Sequence, residues 1–132
     1  MEQVPGSGGG EIIMVVDDDA AIVYMLEMML DGLGYVVEAF SSSVDAATAF
    51  ASDPDRYDLL LTDLAMPGMS GAELAERVQG IRPQLPVVVL TGFAGDSFSA
   101  EAGEHLNVKR VLIKPVSMDV LAVEIKAVLG AA

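Results

Sequence analysis

Between residues 12 and 130, short apolar runs rich in β-branched residues alternate with segments of helical spacing, and this alternation leaves little choice of architecture. IIMVVD (12–17) is followed by DAAIVYMLEMMLDGLG (19–34), in which Ile22, Leu26, Met29/Leu30 and Leu33 recur at helical intervals before a closing glycine. YVVEAF (35–40) with SVDAATAFA (43–51) repeats the unit. So does YDLLLTD (57–63) with SGAELAERVQGI (70–81), where Ser70 caps the helix and Glu73 stands three residues on. PVVVLTG (86–92) precedes a weak helix over 96–105, and KRVLIKP (109–115) precedes VSMDVLAVEIKAVLG (116–130). The fourth helix is the weakest expectation, because GFAGDSFSAEAGEH is rich in glycine and serine.

Strands alternating with helices imply right-handed βαβ crossovers and an α/β fold, a doubly wound five-stranded parallel sheet covered on both faces. The near-continuous apolar character of the strands agrees with burial on both sides. At 132 residues the chain is one domain long. Residues 1–10, with Pro5 and a Gly/Ser run, have the composition of a flexible linker or tail, so the folded domain is expected over 11–132.

Charge and composition narrow the function. Net charge is −13 and no Lys or Arg precedes Arg56, which argues against nucleic-acid binding and against adhesion to anionic lipid. The longest apolar stretches fall far short of a membrane span, and the N-terminus has neither the basic nor the apolar region of a secretory signal. With no cysteine, a disulfide framework and a thiolate metal site are excluded. A cytoplasmic protein is expected.

In an open parallel sheet, ligands bind at the carboxyl ends of the strands, so the residues at those ends are the ones to inspect. The first strand ends in Asp17-Asp18-Asp19, the third in Asp63, the fourth in Thr91 and the fifth in Lys114-Pro115; the second ends in Ala39-Phe40-Ser41. One helix cap does not need three acids. Asp19 reads as the cap of the first helix, whereas Asp17 and Asp18 converge with Asp63 on one crevice. Carboxylates so crowded repel unless a cation intervenes, and hard oxygen ligands without His or Cys point to Mg²⁺. Lys114 adds a point cation for a carboxylate or a phosphoryl oxygen, and Thr91 a hydroxyl donor. Together these groups are equipment for moving a phosphoryl group onto an aspartate, with Asp63 as nucleophile and the Pro/Gly loop behind it keeping its carboxylate accessible.

IIMVVDDD, LLLTDLAMPGMSG, VVVLTG and VLIKP, in this order and spacing, resemble the receiver domain of two-component response regulators over residues 12–130. The resemblance implies strand order 2-1-3-4-5 and Asp63 as phosphoacceptor. It also implies Asp17 and Asp18 as the metal-binding acids, with the backbone carbonyl of Ala65 completing the Mg²⁺ site. Thr91 takes the place of the switch hydroxyl and Lys114 that of the family's lysine. The chain departs from the pattern at Val111, where the family has its switch aromatic. Ala65 and Phe93 stand where polar groups often influence phosphoryl lifetime, and Asp19 stands where Glu is common. VPGSGGGEI and RPQLPVVVLTGF resemble receivers fused behind the core of hybrid histidine kinases, so the expectation is either such a C-terminal receiver or a stand-alone one.

The implied partner is a histidine kinase or histidine phosphotransfer domain. With Ile22, Leu26, Leu30 and Leu33 facing the sheet, Met25 and Met28 are expected on the outer flank of the first helix together with Val23 and Tyr24, a docking surface for the donor's helical bundle. Three rival readings compete with this one. A phosphohydrolase of the haloacid dehalogenase type matches Asp-x-Asp within 17–19, but has Ala21 where Thr or Val is usual and no late acidic pair on a strand after Lys114. An FMN binder of flavodoxin type needs a phosphate loop where three acids stand. An interaction module with a vestigial site differs only in failing to accept phosphate at Asp63.

Overall fold

The computed structural model of the chain describes residues 9–92 and 108–130. Strands β1 (Ile12–Val16), β2 (Val36–Phe40), β3 (Leu59–Asp63), β4 (Val87–Thr91) and β5 (Val108–Ile113) form one parallel sheet in the order β2-β1-β3-β4-β5. This is the doubly wound order expected, and it reverses beside β1, opening a crevice between the carboxyl ends of β1 and β3. Helices α1 (Ala20–Gly32), α2 (Ser43–Ser52), α3 (Gly71–Ile81) and α4 (Met118–Gly130) cover the sheet. The helix expected over 96–105, Phe93 and most of the expected leading linker lie outside the described residues.

Period-two alternation along the strands sorts the core into two layers. Ile13 and Val15 of β1, Leu59 and Leu61 of β3, and Val88 and Leu90 of β4 pack with Leu26 and Leu30 of α1 and with Leu121, Ile125 and Val128 of α4. Their alternates Met14, Val16, Leu60, Val87 and Val89 pack with Ala46 and Phe50 of α2 and with Leu74, Ala75 and Val78 of α3. Central strands buried on both faces therefore read as unbroken apolar runs. β5 is an edge strand and is exposed along most of its length, Val111 included.

Local chemistry sets the helix boundaries. Asp19 caps α1, its Oδ1 accepting the N–H groups of Ala21 at 2.9 Å and Ile22 at 3.4 Å, and Gly34 takes φ +94° to turn the chain into β2. Ser70 and Glu73 form the reciprocal capping box of α3. A 3₁₀ turn at Pro54–Arg56, not anticipated from the sequence, leads into β3. The Arg82 guanidinium ties it down by donating to the carbonyls of Pro54 and Tyr57. Among the described residues no helix is long and apolar enough to cross a membrane.

Tyr57 closes one end of the sheet. Its hydroxyl donates to Glu38 Oε1 at 2.8 Å, its ring stacks on Phe50 with centroids 5.7 Å apart, and Glu38 also pairs with Arg56. Burial first, then the carboxylate beside it, pushes the Tyr57 hydroxyl up to about 12. An acid whose proton is held more tightly in the folded state adds stability that is complete below its unfolded value, about 10, and is lost as pH climbs toward the folded value. Tyr57→Phe is therefore expected to cost about 1 kcal/mol at neutral pH and to flatten the fall in stability above about pH 10. Denaturant midpoints of the two proteins across that window check this, and equal alkaline slopes would reject it.

Candidate functional site

Two elements bring the acids together. β1 runs straight into Asp17, whose N–H donates to Phe40 O at 3.2 Å, extending the pairing with β2 past the end of the strand. β3 ends on Asp63 itself, in register with Leu90 of β4. Asp17 is fully buried and Asp63 nearly so, while Asp18 is exposed. One carboxylate oxygen from each of Asp17, Asp18 and Asp63 lies within 4.8 Å of the others. Asp19 stands apart as the helix cap, and its N–H donates to Asp17 Oδ1 at 2.9 Å, fixing that carboxylate from behind.

Lys114 bridges the pair from the other side. Its N–H donates to Thr91 O at 2.7 Å, which brings it in beside the end of β4. Its Nζ then lies 3.0 Å from Asp63 Oδ1 and 3.2 Å from Asp17 Oδ2. Thr91, also buried, closes β4 at the same rim. All five side chains singled out from the sequence thus sit at the carboxyl end of the sheet, and Lys114 joins two of the acids directly. Ala65 is exposed at the start of the loop between β3 and α3.

Burial is the largest influence on Asp17 and pushes its carboxyl up. The Asp19 N–H pulls it back, the Asp63 charge raises it and Lys114 lowers it, and the net is upward. Burial alone would depress Lys114, but its hydrogen bond to Asp63 and the charge of Asp17 outweigh that and leave the ammonium above its ordinary value. Among the described residues, three acids around one ammonium leave an excess of carboxylate over cation in a partly dry crevice. A set of hard carboxylate oxygens with such an excess can hold a metal ion.

Two residues behind Asp63 escaped the sequence reading. Gly71, the first residue of α3, donates its N–H to Leu64 O at 2.8 Å, and a Cβ there would fall 2.0 Å from the Asp63 carbonyl oxygen. Its only signal was a helix opening on glycine. The buried Ser43 hydroxyl donates to Met69 O at 2.7 Å, and its signal was three serines in a row where one suffices to cap α2. On α1, Tyr24, Met25 and Met28 are exposed as expected. Val23 is half-buried, because it shares a helical row with the buried Leu26 and Leu30, three and seven residues on.

Residues 13–126 match the family of response regulator receiver domains. The chain is 35% identical over 120 residues to the response regulator receiver protein CpdR of Brucella abortus, covering 91% of this chain and 98% of that protein. It is 34% identical over 108 residues to the DNA-binding transcriptional regulator NtrC of Escherichia coli, covering 82% of this chain but only 22% of NtrC. The chain therefore spans about a fifth of that relative's length. Among solved structures, a response regulator receiver domain protein from Clostridium thermocellum superposes with a TM-score of 0.84 at 28% identity, covering 92% of this chain and 95% of that one. With sequence and fold in agreement along nearly its whole length, and with acids, hydroxyl and lysine gathered at one rim, the chain belongs to the response regulator receiver domain family of two-component signalling.

Proposed function

We propose that Asp63 accepts a phosphoryl group from the phosphohistidine of a histidine kinase or histidine phosphotransfer domain, and that the chain itself promotes this transfer and the later loss of the group. The observation that carries the reading is the Asp63–Lys114 pair at 3.0 Å beside Asp17 and Asp18. An Asp63 carboxylate oxygen attacks phosphorus, the P–N bond to the donor imidazole breaks, and the nitrogen keeps the electron pair. Lys114 holds a phosphoryl oxygen in place of part of its contact with Asp63, and the Thr91 hydroxyl donates to another. Asp17 and Asp18, with Asp63 and the Ala65 carbonyl, are the groups to hold Mg²⁺. The bound ion would supply neutralisation of charge on the phosphoryl oxygens. Loss of the group follows when water attacks phosphorus and the Asp63 oxygen leaves with its electron pair.

Acetyl phosphate with Mg²⁺ should add one phosphoryl group to the intact mass, and excess chelator should prevent it. Labelling that persists undiminished in chelator would count against the metal, and an unlabelled wild type would leave an interaction module as the better reading. A haloacid dehalogenase activity is not favoured, since Asp19 is spent as a helix cap. Work beside a kinase core fits residence in the cytoplasm.

The donor is proposed to dock on α1 near Met25 and Met28. Support comes from a hollow of about 200 Å³ lined by Ile22, Met25, Leu26, Leu90, Pro115 and Val116, immediately beside Lys114. It is apolar and would take a side chain from the donor's helix while the histidine lies over Asp63. Changing Met25 and Met28 together to Lys should slow phosphotransfer from the cognate kinase by about tenfold or more. Acetyl phosphate labelling and melting temperature should barely change, since both side chains are exposed. Unaltered phosphotransfer would remove α1 from the docking surface.

A further inference from the structure

We infer that Ser43 is a positioning residue for the candidate metal site, its buried hydroxyl clamping the loop after Asp63 through the Met69 carbonyl. The inference rests on the reading above, in which that loop offers the Ala65 carbonyl to Mg²⁺. The loop is held at its start, where the Leu64 N–H donates to Leu90 O at 2.9 Å and Leu64 O accepts from Gly71 at 2.8 Å. Gly68, with φ +79°, turns the chain back. Toward its end the hold comes from a separate element, the first turn of α2, as Ser43 Oγ donates to Met69 O at 2.7 Å.

Two features mark this bond as more than helix capping. Capping of α2 is done by Ser42, whose Oγ accepts the Asp45 N–H at 3.2 Å. The neighbouring Ser43 hydroxyl instead points out of its helix to a residue 26 positions away, and it does so at only 3% exposure. Met69 is itself buried and packs with Ala46 and Phe50 of α2, so removing the hydroxyl takes a donor from a carbonyl that water reaches poorly. With both ends fixed and Met66 packed against the core between them, the exposed Ala65 has little freedom to drift from the acids. Without the clamp the Met69 end keeps its packing and the Gly71–Leu64 bond two residues on, but loses its hydrogen bond to α2.

Mg²⁺ titrations followed by backbone amide shifts, and amide exchange of Ala65, Met66, Gly68 and Met69 in metal-free protein, test the clamp without any phosphoryl chemistry. Ser43→Ala should weaken Mg²⁺ by about tenfold, the low end for a group that orients a metal ligand from outside. It should speed exchange across 65–69 while β1 amides keep their protection. Ser42→Ala frays the same helix end but leaves the Met69 bond, and it should hold Mg²⁺ within about twofold of wild type. Ser43→Cys, of similar shape with a weaker donor, should fall between and serves if the alanine variant does not fold. Wild-type affinity and exchange in the Ser43 variants would overturn the inference. Equal Mg²⁺ losses in Ser42→Ala and Ser43→Ala would overturn it too, by making helix stability the cause. A wild type that binds Mg²⁺ yet takes no phosphate defeats the functional reading and leaves the clamp standing.

Discussion

Asp63→Asn should leave the chain unlabelled by acetyl phosphate and by phosphohistidine donors, while the fold persists. An amide in place of the carboxylate has no nucleophilic oxygen at neutral pH, and no other carboxylate ends the central strand with the lysine at 3.0 Å. Stability should move by only about 1 kcal/mol, because two effects oppose one another. Lys114 loses one partner but keeps Asp17 at 3.2 Å, and Asp17 is relieved of the Asp63 charge that helps to raise its carboxyl. Asp18→Asn is a different lesion. It removes an exposed member of the acidic cluster and should raise the Mg²⁺ concentration needed for labelling without abolishing it. Undiminished labelling of the Asp63 variant, with the phosphate mapped to Asp17 or Asp18, would move the nucleophile to β1.

What was legible in the sequence followed from burial. β1, β3 and β4 are covered on both faces, so their residues had to be apolar without interruption, and an acid or hydroxyl at the end of such a run stood out. Asp17, Asp63, Thr91 and Lys114 were found that way, each as the polar residue that closes an apolar run. The cap at Asp19 and the box at Ser70 and Glu73 were legible because capping is local.

Proximity away from the strand ends was not legible. Nothing near Ser43 in the chain announces Met69, and nothing near Arg82 announces the 3₁₀ turn at Pro54–Arg56 that it holds. Val23 was misjudged for a milder reason. Outward and inward rows on a helix differ by a fraction of a turn, and its place beside Leu26 and Leu30 decided its burial. In each case the missing information was which element lies across from the residue.

Gly71→Ala should be among the most damaging single substitutions in the domain, against what helix propensity alone would say. Glycine is a poor helix former, so replacing it by alanine ordinarily stabilises a helix by up to about 1 kcal/mol. Gly71 has no positive φ to forbid a side chain, so the obstacle is contact alone. An added Cβ would lie 2.0 Å from the Asp63 carbonyl oxygen and 3.0 Å from both the Asp63 carbonyl carbon and Leu64 Cα. These are backbone atoms at the end of the central strand, and no flexible side chain is there to swing away. Relief must come from α3 moving outward, which drags Leu74, Ala75 and Val78 from the core, or from β3 moving, which carries the Asp63 carboxylate off Lys114. Overpacking of this kind costs about 3 kcal/mol, a fall in melting temperature of roughly 10–20 °C for a domain of this size. Phosphoryl labelling of the fraction still folded should fall as well. Gly80→Ala supplies the contrast, since it lies in the same helix with nothing within 4 Å of an added Cβ, and it should raise the melting temperature slightly. If both variants melt at or above wild type, α3 does not press on the Asp63 backbone, and what seats the Asp63 carboxylate beside Lys114 must be sought elsewhere.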